Sequence, residues 1–130
     1  MARAKRLLVI TGAGCSTESG IPDFRGPQGL WTKNPDAEKA SNIRYYLADP
    51  ELRRRNWHAR ATNGMWDVDP NAGHHALVEL ERLAAVSLVV TQNVDGLHAR
   101  AGTDPDRLVE IHGTTHAVKC LRCTFRGPME

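Results

Sequence analysis

An α/β fold with a parallel sheet is what this sequence predicts, and three observations predict it. Three stretches have strand character, residues 7–10, 86–90 and 107–111. The first two are separated by a segment, 75–85, whose apolar residues recur at helical spacing. Each stretch ends in a polar or glycine-bearing motif: Gly12-Ala-Gly14, Thr91-Gln-Asn-Val-Asp95 and His112-Gly113. Open parallel sheets hold ligands outside the carboxyl ends of their strands, so three such tips describe one shared crevice.

Leu7, Leu8, Val9 and Ile10 form an unbroken apolar run, the pattern of a parallel strand covered on both faces. Gly12 and Gly14 follow at the hand-over from strand to helix, where residues without a Cβ allow a tight turn and close approach to a pyrophosphate. Outward amides at such a turn hold an anion. The dehydrogenase fingerprint fails, because its third glycine would fall on Thr17 and no acidic residue ends a second strand soon afterwards. Residues 26–31 are turn-rich, and 32–42 are polar without periodicity, which predicts a mobile loop. Tyr46, Leu47, Leu52 and Trp57 are spaced for one or two short helices interrupted at Asp49-Pro50, proline fitting a first turn. The basic run Arg53-Arg54-Arg55 reads as a solvated helix face.

Asp69 or Asn71 is placed to cap the next helix, 75–85, with Ala76, Leu77, Leu80, Leu83 and Ala84 on one face. The second strand delivers Thr91 to Asp95. A short helix over 97–101 ends at Gly102, a fitting left-handed position, and Asp104-Pro105-Asp106 turns the chain into the third strand, which presents His112.

With 130 residues, 41% hydrophobic and 25% charged, the chain suits one modest soluble core. A net charge of +2 is too mild to call for nucleic acid or membrane partners. Residues 1–6 are basic, yet the four apolar residues after them are too few for a signal-peptide core, which predicts a cytoplasmic protein. Three cysteines, two of them in Cys120-Leu-Arg-Cys123, suit a metal or redox role in a reducing compartment. Cys15, with no base adjacent in sequence, reads as a small buried residue.

The string GAGCSTESGIPDFRG (12–26) resembles the signature of the sirtuins, NAD-dependent protein-lysine deacylases. PNAGH (70–74), TQNVDGLH (91–98) and EIHG (110–113) match further family motifs in the same order. The resemblance implies an α/β fold: a partial Rossmann-like parallel sheet, part of a small helical module and half of a zinc ribbon. It implies transfer of the acetyl group of an acetylated lysine protein or peptide to the ADP-ribose part of NAD, with release of nicotinamide. Gly12, Ala13, Gly14, Ser16, Thr17 and Glu18 would lie around the phosphates and ribose. Asp23, Phe24 and Arg25 would surround the reactive end, Phe24 shielding it from water, and Trp31 would anchor the loop that closes over the nicotinamide end of the cofactor. Gln92 and Asn93 would hold ribose hydroxyls or ordered water, Val94 and Asp95 would bind the carboxamide, and His112 would be the general base. His74 and His98 would be structural. Relatives that remove acidic acyl groups carry Tyr-x-x-Arg where this chain has Trp57-His-Ala-Arg60; only Arg60 matches, which keeps acetyl-lysine as the expected substrate.

Sirtuin cores are roughly twice this long, so the chain resembles an amino-terminal portion. The division expected is 1–42 for the first strand, NAD turn and cofactor loop, 43–68 for the helical module, 69–116 for the Rossmann-like part and 117–130 for an incomplete zinc ribbon. Cys120 and Cys123 would supply half of a four-thiolate zinc site, which two cysteines alone would not hold stably. A sheet with only three strands would leave a face or edge uncovered and open to self-association. Feeble NAD affinity and impaired activity of the isolated chain follow. The alternative is an inactive NAD-pocket module that needs a partner chain.

Overall fold

The computed structural model describes residues 6–62, 64–83 and 86–129. Residues 1–5 of the basic start, and Ala84 of the anticipated helical face, lie outside the described residues.

Three parallel strands form the main sheet in the order β1 (Leu7–Thr11), β2 (Val86–Thr91), β3 (Leu108–Glu110). Register pairs Val9 with Val89, Thr11 with Thr91, and Thr91 with Glu110. Paired residues of parallel strands point to the same face, so Val9, Thr11, Val89 and Thr91 share one face. That face is covered: Val89 and Thr91 are buried, and Thr11 bonds to His98 from the helix α6 (Leu97–Ala101). The other face carries Leu8, Ile10, Leu88, Val90 and Val109. Leu8 is 60% and Ile10 65% exposed. The unbroken apolar run therefore does not report burial on both sides within these residues; β1 alternates, and its second face is bare.

The segment 32–42, expected to be a mobile loop without helical periodicity, instead takes in the end of one short helix, α1 (Leu30–Lys33), and the whole of another, α2 (Pro35–Ala40). Local chemistry explains them better than periodicity does. Pro35 stands in the first turn of α2, and the Asn34 side chain accepts from the Asp36 amide. Asn42 caps α3 (Ile43–Ala48) in the same way, and Asp49 accepts from the amides of Glu51 and Leu52 at the start of α4 (Pro50–Thr62). Arg53 is not merely solvated: its guanidinium donates to the carbonyls of Tyr46 and Leu47, closing the end of α3.

Helix α5 (Ala72–Leu83) begins earlier than expected, because Asn71 Oδ1 accepts from the amides of Gly73 and His74. Its buried residues are His74 and Val78, whereas Ala76 is exposed and Leu83 is 84% exposed. The buried stripe is thus rotated from the one that the leucines suggested. Arg100 ties α6 to the connection that precedes α5 through Val68 O and Asp69. Ala117–Lys119 (β4) and Arg126–Pro128 (β5) pair antiparallel as a separate hairpin. Leu52, Val78, Val86, Val89 and Leu97 are the buried apolar residues among those described.

A Cβ at Gly29 would lie 2.6 Å from Phe24 C and 2.7 Å from Arg25 N, both backbone atoms that cannot yield. Gly29→Ala is expected to destabilise the chain by about 1–3 kcal/mol, as overpacking does. A urea midpoint equal to that of the parent would contradict it.

Candidate functional site

The site begins where the ladder of β1, β2 and β3 ends. Gln92 N donates to Thr11 O at 3.1 Å and Ile111 N to Thr91 O at 3.0 Å, which carries the pairing one residue beyond the strands. The Gly12 turn, residues 92–95 and residues 111–113 therefore leave the sheet side by side, at its carboxyl edge.

Gly12 is extended, with φ −147° and ψ −173°, and neither it nor Gly14 has positive φ. A Cβ built on either meets nothing within 4 Å. The chain does turn tightly, Cys15 N donating to Gly12 O at 2.9 Å, but neither backbone strain nor the protein's own packing calls for glycine at these two positions. What the missing side chains leave is open space beside the backbone, room for a ligand to approach. Residues 13–19 then form a 3-10 turn closed by Gly20 at φ 92°. Thr17 and Glu18 are exposed on it, and Ala13 is half-buried.

Ser16 points the other way. It is 1% exposed, its Oγ donates to Asp95 Oδ2 at 2.7 Å, and it accepts from Asn93 Nδ2 at 3.0 Å. Asp95 Oδ1 accepts from Leu97 N at the start of α6, and Asn93 N donates to Thr91 Oγ1. The expected roles of Ser16, Asn93 and Asp95 toward a ligand thus meet a prior engagement: these side chains bond one another below the surface. Gln92 is exposed and Val94 half-buried.

Asp23, Phe24, Arg25 and Trp31 form a second cluster. Asp23 Oδ1 accepts from Gly26 N, the Phe24 and Trp31 rings lie 4.8 Å apart, and the Arg25 guanidinium stacks 4.5 Å from the Trp31 centroid. Phe24 remains 41% exposed.

His112 is exposed just after β3, in a turn completed by Gly113 at φ 79°. The residues after it strap this tip to its neighbour. Thr115 N and Oγ1 both donate to Val94 O at 2.8 Å, and His116 Nε2 donates to Asp95 O at 3.1 Å. Gly96 sits at φ 72°, and a Cβ there would strike the His116 ring at 2.8 Å. Burial pushes the Glu110 carboxyl up, with the nearby His116 acting against it.

A third group lies beneath the glycine turn and was not legible as a site. Asn71 Nδ2 donates to Cys15 O and Ser19 Oγ, Asn71 N donates to His74 Nδ1, and His74 Nε2 is 3.9 Å from Cys15 Sγ. The rings of His74 and His98 meet edge to face at 4.8 Å. Burial lowers the pKa of both imidazoles and raises that of the Cys15 thiol. The motifs PNAGH and TQNVDGLH supplied these residues, but only the fold brings them under Cys15.

Cys120 and Cys123 stand in the connection of the β4–β5 hairpin, both as free thiols. Arg122 N donates to Cys120 Sγ at 3.3 Å, which holds the Cys120 thiol below its ordinary value together with the hydrogen bonds from Cys123. Concavities of about 250 Å³ also open beside α5 and in the helical segment, and neither includes the glycine turn, Asp95 or His112. Among the described residues no helix is long and apolar enough to cross a membrane.

The Sir2 family model matches residues 12–130 of this chain. An NAD-dependent protein deacetylase of Streptomyces coelicolor is 49% identical over 121 residues, which cover 93% of this chain and 50% of that protein. An NAD-dependent protein deacylase of Archaeoglobus fulgidus is 42% identical, covering 95% of this chain and 49% of the relative. Among solved structures, a Sir2 homologue in complex with NAD superimposes with a TM-score of 0.79 at 40% identity, over 98% of this chain and 48% of the other. A mutant Sir2 homologue bound to ADP-ribose gives 0.86 at 39% identity, over 98% and 49%. The chain spans about half the length of the curated relatives it matches.

Two outcomes follow from the geometry. Ser16→Ala leaves Asp95 Oδ2 and the Asn93 amide without a buried partner, so it should cost about 1–3 kcal/mol of stability; a denaturant midpoint within error of the parent would be inconsistent with the network. The lowered pKa values of His74 and His98 mean that the unfolded chain binds more protons between their folded values and 6.5, so stability should fall as pH drops below 6.5. Glu110, raised above 4.5, opposes this at lower pH, while Cys15, raised above 9.0, makes stability fall as pH climbs past 9.0. Melting temperature measured from pH 5 to 10 should therefore peak between these limits, and His98→Gln should flatten the acid limb.

Proposed function

The chain belongs to the Sir2 family, and from that premise we propose that its three strand tips form the dinucleotide-binding part of an NAD-dependent protein-lysine deacetylase. The observation that carries this reading is the side-by-side departure of the Gly12 turn, residues 92–95 and His112 from one sheet edge, with open space at both glycines. The open Cβ positions of Gly12 and Gly14 and the uncovered Phe24 ring fit a dinucleotide laid across the turn. Bound there, NAD supplies a glycosidic bond with nicotinamide as leaving group and a ribose that accepts the acyl group of an acetylated lysine.

The chain's own residues then do the following. Ala13, Gly14, Thr17 and Glu18 line the phosphates and ribose, and amides of the 3-10 turn meet the negative charge. Ser16, Asn93 and Asp95 act as one unit: their mutual bonds fix the Val94 and Asp95 segment, and the lone pairs that remain on Asp95 orient the carboxamide. Gln92 holds ribose hydroxyls. Phe24, propped by Trp31 and Arg25, excludes water from the reacting carbon, and Asp23 holds the loop that carries them. His112 takes a proton from a ribose hydroxyl, a task its exposed, unbonded ring suits. Acetyl-lysine is the substrate read here, since Arg60 lies on the exposed side of α4 with no companion tyrosine three residues earlier.

We assign residues 43–68 to the family's helical module and 117–130 to a zinc ribbon. Cys120 and Cys123 on their hairpin would hold two of the four ligand positions of a structural zinc, with the other two thiolates from elsewhere. The bare apolar face of Leu8, Ile10 and Val109 supports a second part to this reading: by itself the chain binds NAD feebly, turns over little and self-associates through that face. An inactive NAD-pocket module completed by a partner chain is the second reading, and the same bare face favours it.

Purified 130-residue chain is expected to show almost no deacetylation of an acetyl-lysine peptide with NAD. Co-expression with the carboxyl-terminal half of a Sir2 relative is expected to raise it, with His112→Ala abolishing the gain. That replacement should lower turnover by about 10²-fold or more, the contribution of a general base. Robust turnover by the chain alone would refute the impaired-fragment reading, and turnover indifferent to His112→Ala would refute the assigned base.

A further inference from the structure

Three metal-ligand side chains from three different elements meet beneath the glycine turn: Cys15 from the 3-10 turn, His74 from α5 and His98 from α6. One ligand atom of each lies within 4.8 Å of the others. His74 is fully buried, His98 is 2% exposed, and Cys15 is half-buried. Nothing in the deacetylase reading uses this group.

His98 supplies the independent sign of a ligand site. Its Nε2 shares a hydrogen bond of 2.8 Å with Thr11 Oγ1, while its Nδ1 is buried with no partner. If Thr11 donated, Nδ1 would carry an orphaned buried N–H, which is the costlier arrangement. The tautomer with Nε2–H donating to Thr11 leaves a bare lone pair on Nδ1 and locks the ring by an outer hydrogen bond, the usual preparation of a metal-binding histidine.

The geometry points to a site for a zinc-class divalent cation held by Cys15 Sγ, His74 Nε2 and His98 Nδ1. One thiolate and two imidazoles are the borderline-soft set that zinc takes, with a fourth position left to water. Zinc–ligand bonds of about 2.0–2.3 Å in a tetrahedron place ligand atoms roughly 3.5 Å apart. The Cys15–His74 pair at 3.9 Å is near that spacing, and the ligand atoms of the group all lie within 4.8 Å of one another. Binding releases the Cys15 thiol proton to solvent. It also shifts the His74 proton from Nε2 to Nδ1, where the Asn71 amide now donates, so that this hydrogen bond and the one between His74 Nε2 and Cys15 Sγ are both given up for the metal bonds. Occupied, the site would clip the glycine turn to both helices.

The test uses the 130-residue chain with Cys120→Ser and Cys123→Ser, which removes the other two thiols. Titration with Co²⁺ should give a near-ultraviolet thiolate-to-cobalt band saturating at one equivalent and displaced by Zn²⁺. Adding Cys15→Ala should abolish the band, and His98→Gln should weaken the affinity at least about 100-fold, beyond the 10–100-fold of an outer-shell change. An unaltered titration in either variant, or no thiolate band in the parent, overturns the proposal. Should a variant unfold, alkylation of Cys15 in the parent decides: at least tenfold slowing by Zn²⁺ but not Mg²⁺ supports the site, and equal rates overturn it. Neither readout involves NAD, so failure here and failure of the deacetylase reading are separable.

Discussion

The bond between Ser16 and Asp95 is the constraint around which the site is arranged. It joins the glycine turn to the β2–α6 connection across 79 residues of sequence, inside a region where Asp95 is only 6% exposed. A buried carboxylate is tolerable only when its oxygens are bonded, and here a hydroxyl holds one and the Leu97 amide the other. Asn93 completes the set by donating to the same Ser16 Oγ. The depth of these groups gives the turn above them its position, so polar residues that look like ligand contacts in sequence serve first as foundations.

Two further ties complete that foundation. Thr115 and His116 bond the carbonyls of Val94 and Asp95, so the third strand tip cannot move independently of the second. On the other side Asn71 reaches the Cys15 carbonyl from the start of α5, and His98 reaches Thr11 from α6. The result is a strand-tip edge whose segments are cross-linked, while the Gln92 and His112 side chains stay exposed and the Cβ positions of Gly12 and Gly14 stay open.

Against this, the far face of the sheet is unsupported. Leu8 and Ile10 on β1 and Val109 on β3 expose apolar side chains that the alternation of parallel strands places together. Relatives of twice the length have further chain with which to cover such a face. The imbalance between a tightly bonded ligand edge and a bare apolar face is the physical reason for proposing that the site needs a second half.

Composition, apolar runs and four ordered motifs were enough to determine the α/β class, the three strands and the residues at their tips, because strand runs and turn chemistry are local properties. Local chemistry also contained the starts of α2 and α3, through Asn34, Pro35 and Asn42, although no apolar periodicity marks α2. What only the tertiary structure decided was orientation. Nothing in the string GAGCSTESG tells that Ser16 turns inward to Asp95 while Gly14 faces open space, or that Cys15 rests against His74 and His98. Nor could an unbroken Leu7, Leu8, Val9, Ile10 tell which of its faces finds a cover. Sequence spacing fixes which side of its own element a residue occupies; which other elements reach that side depends on contacts between residues far apart in the chain, and those exist only once the sheet is assembled.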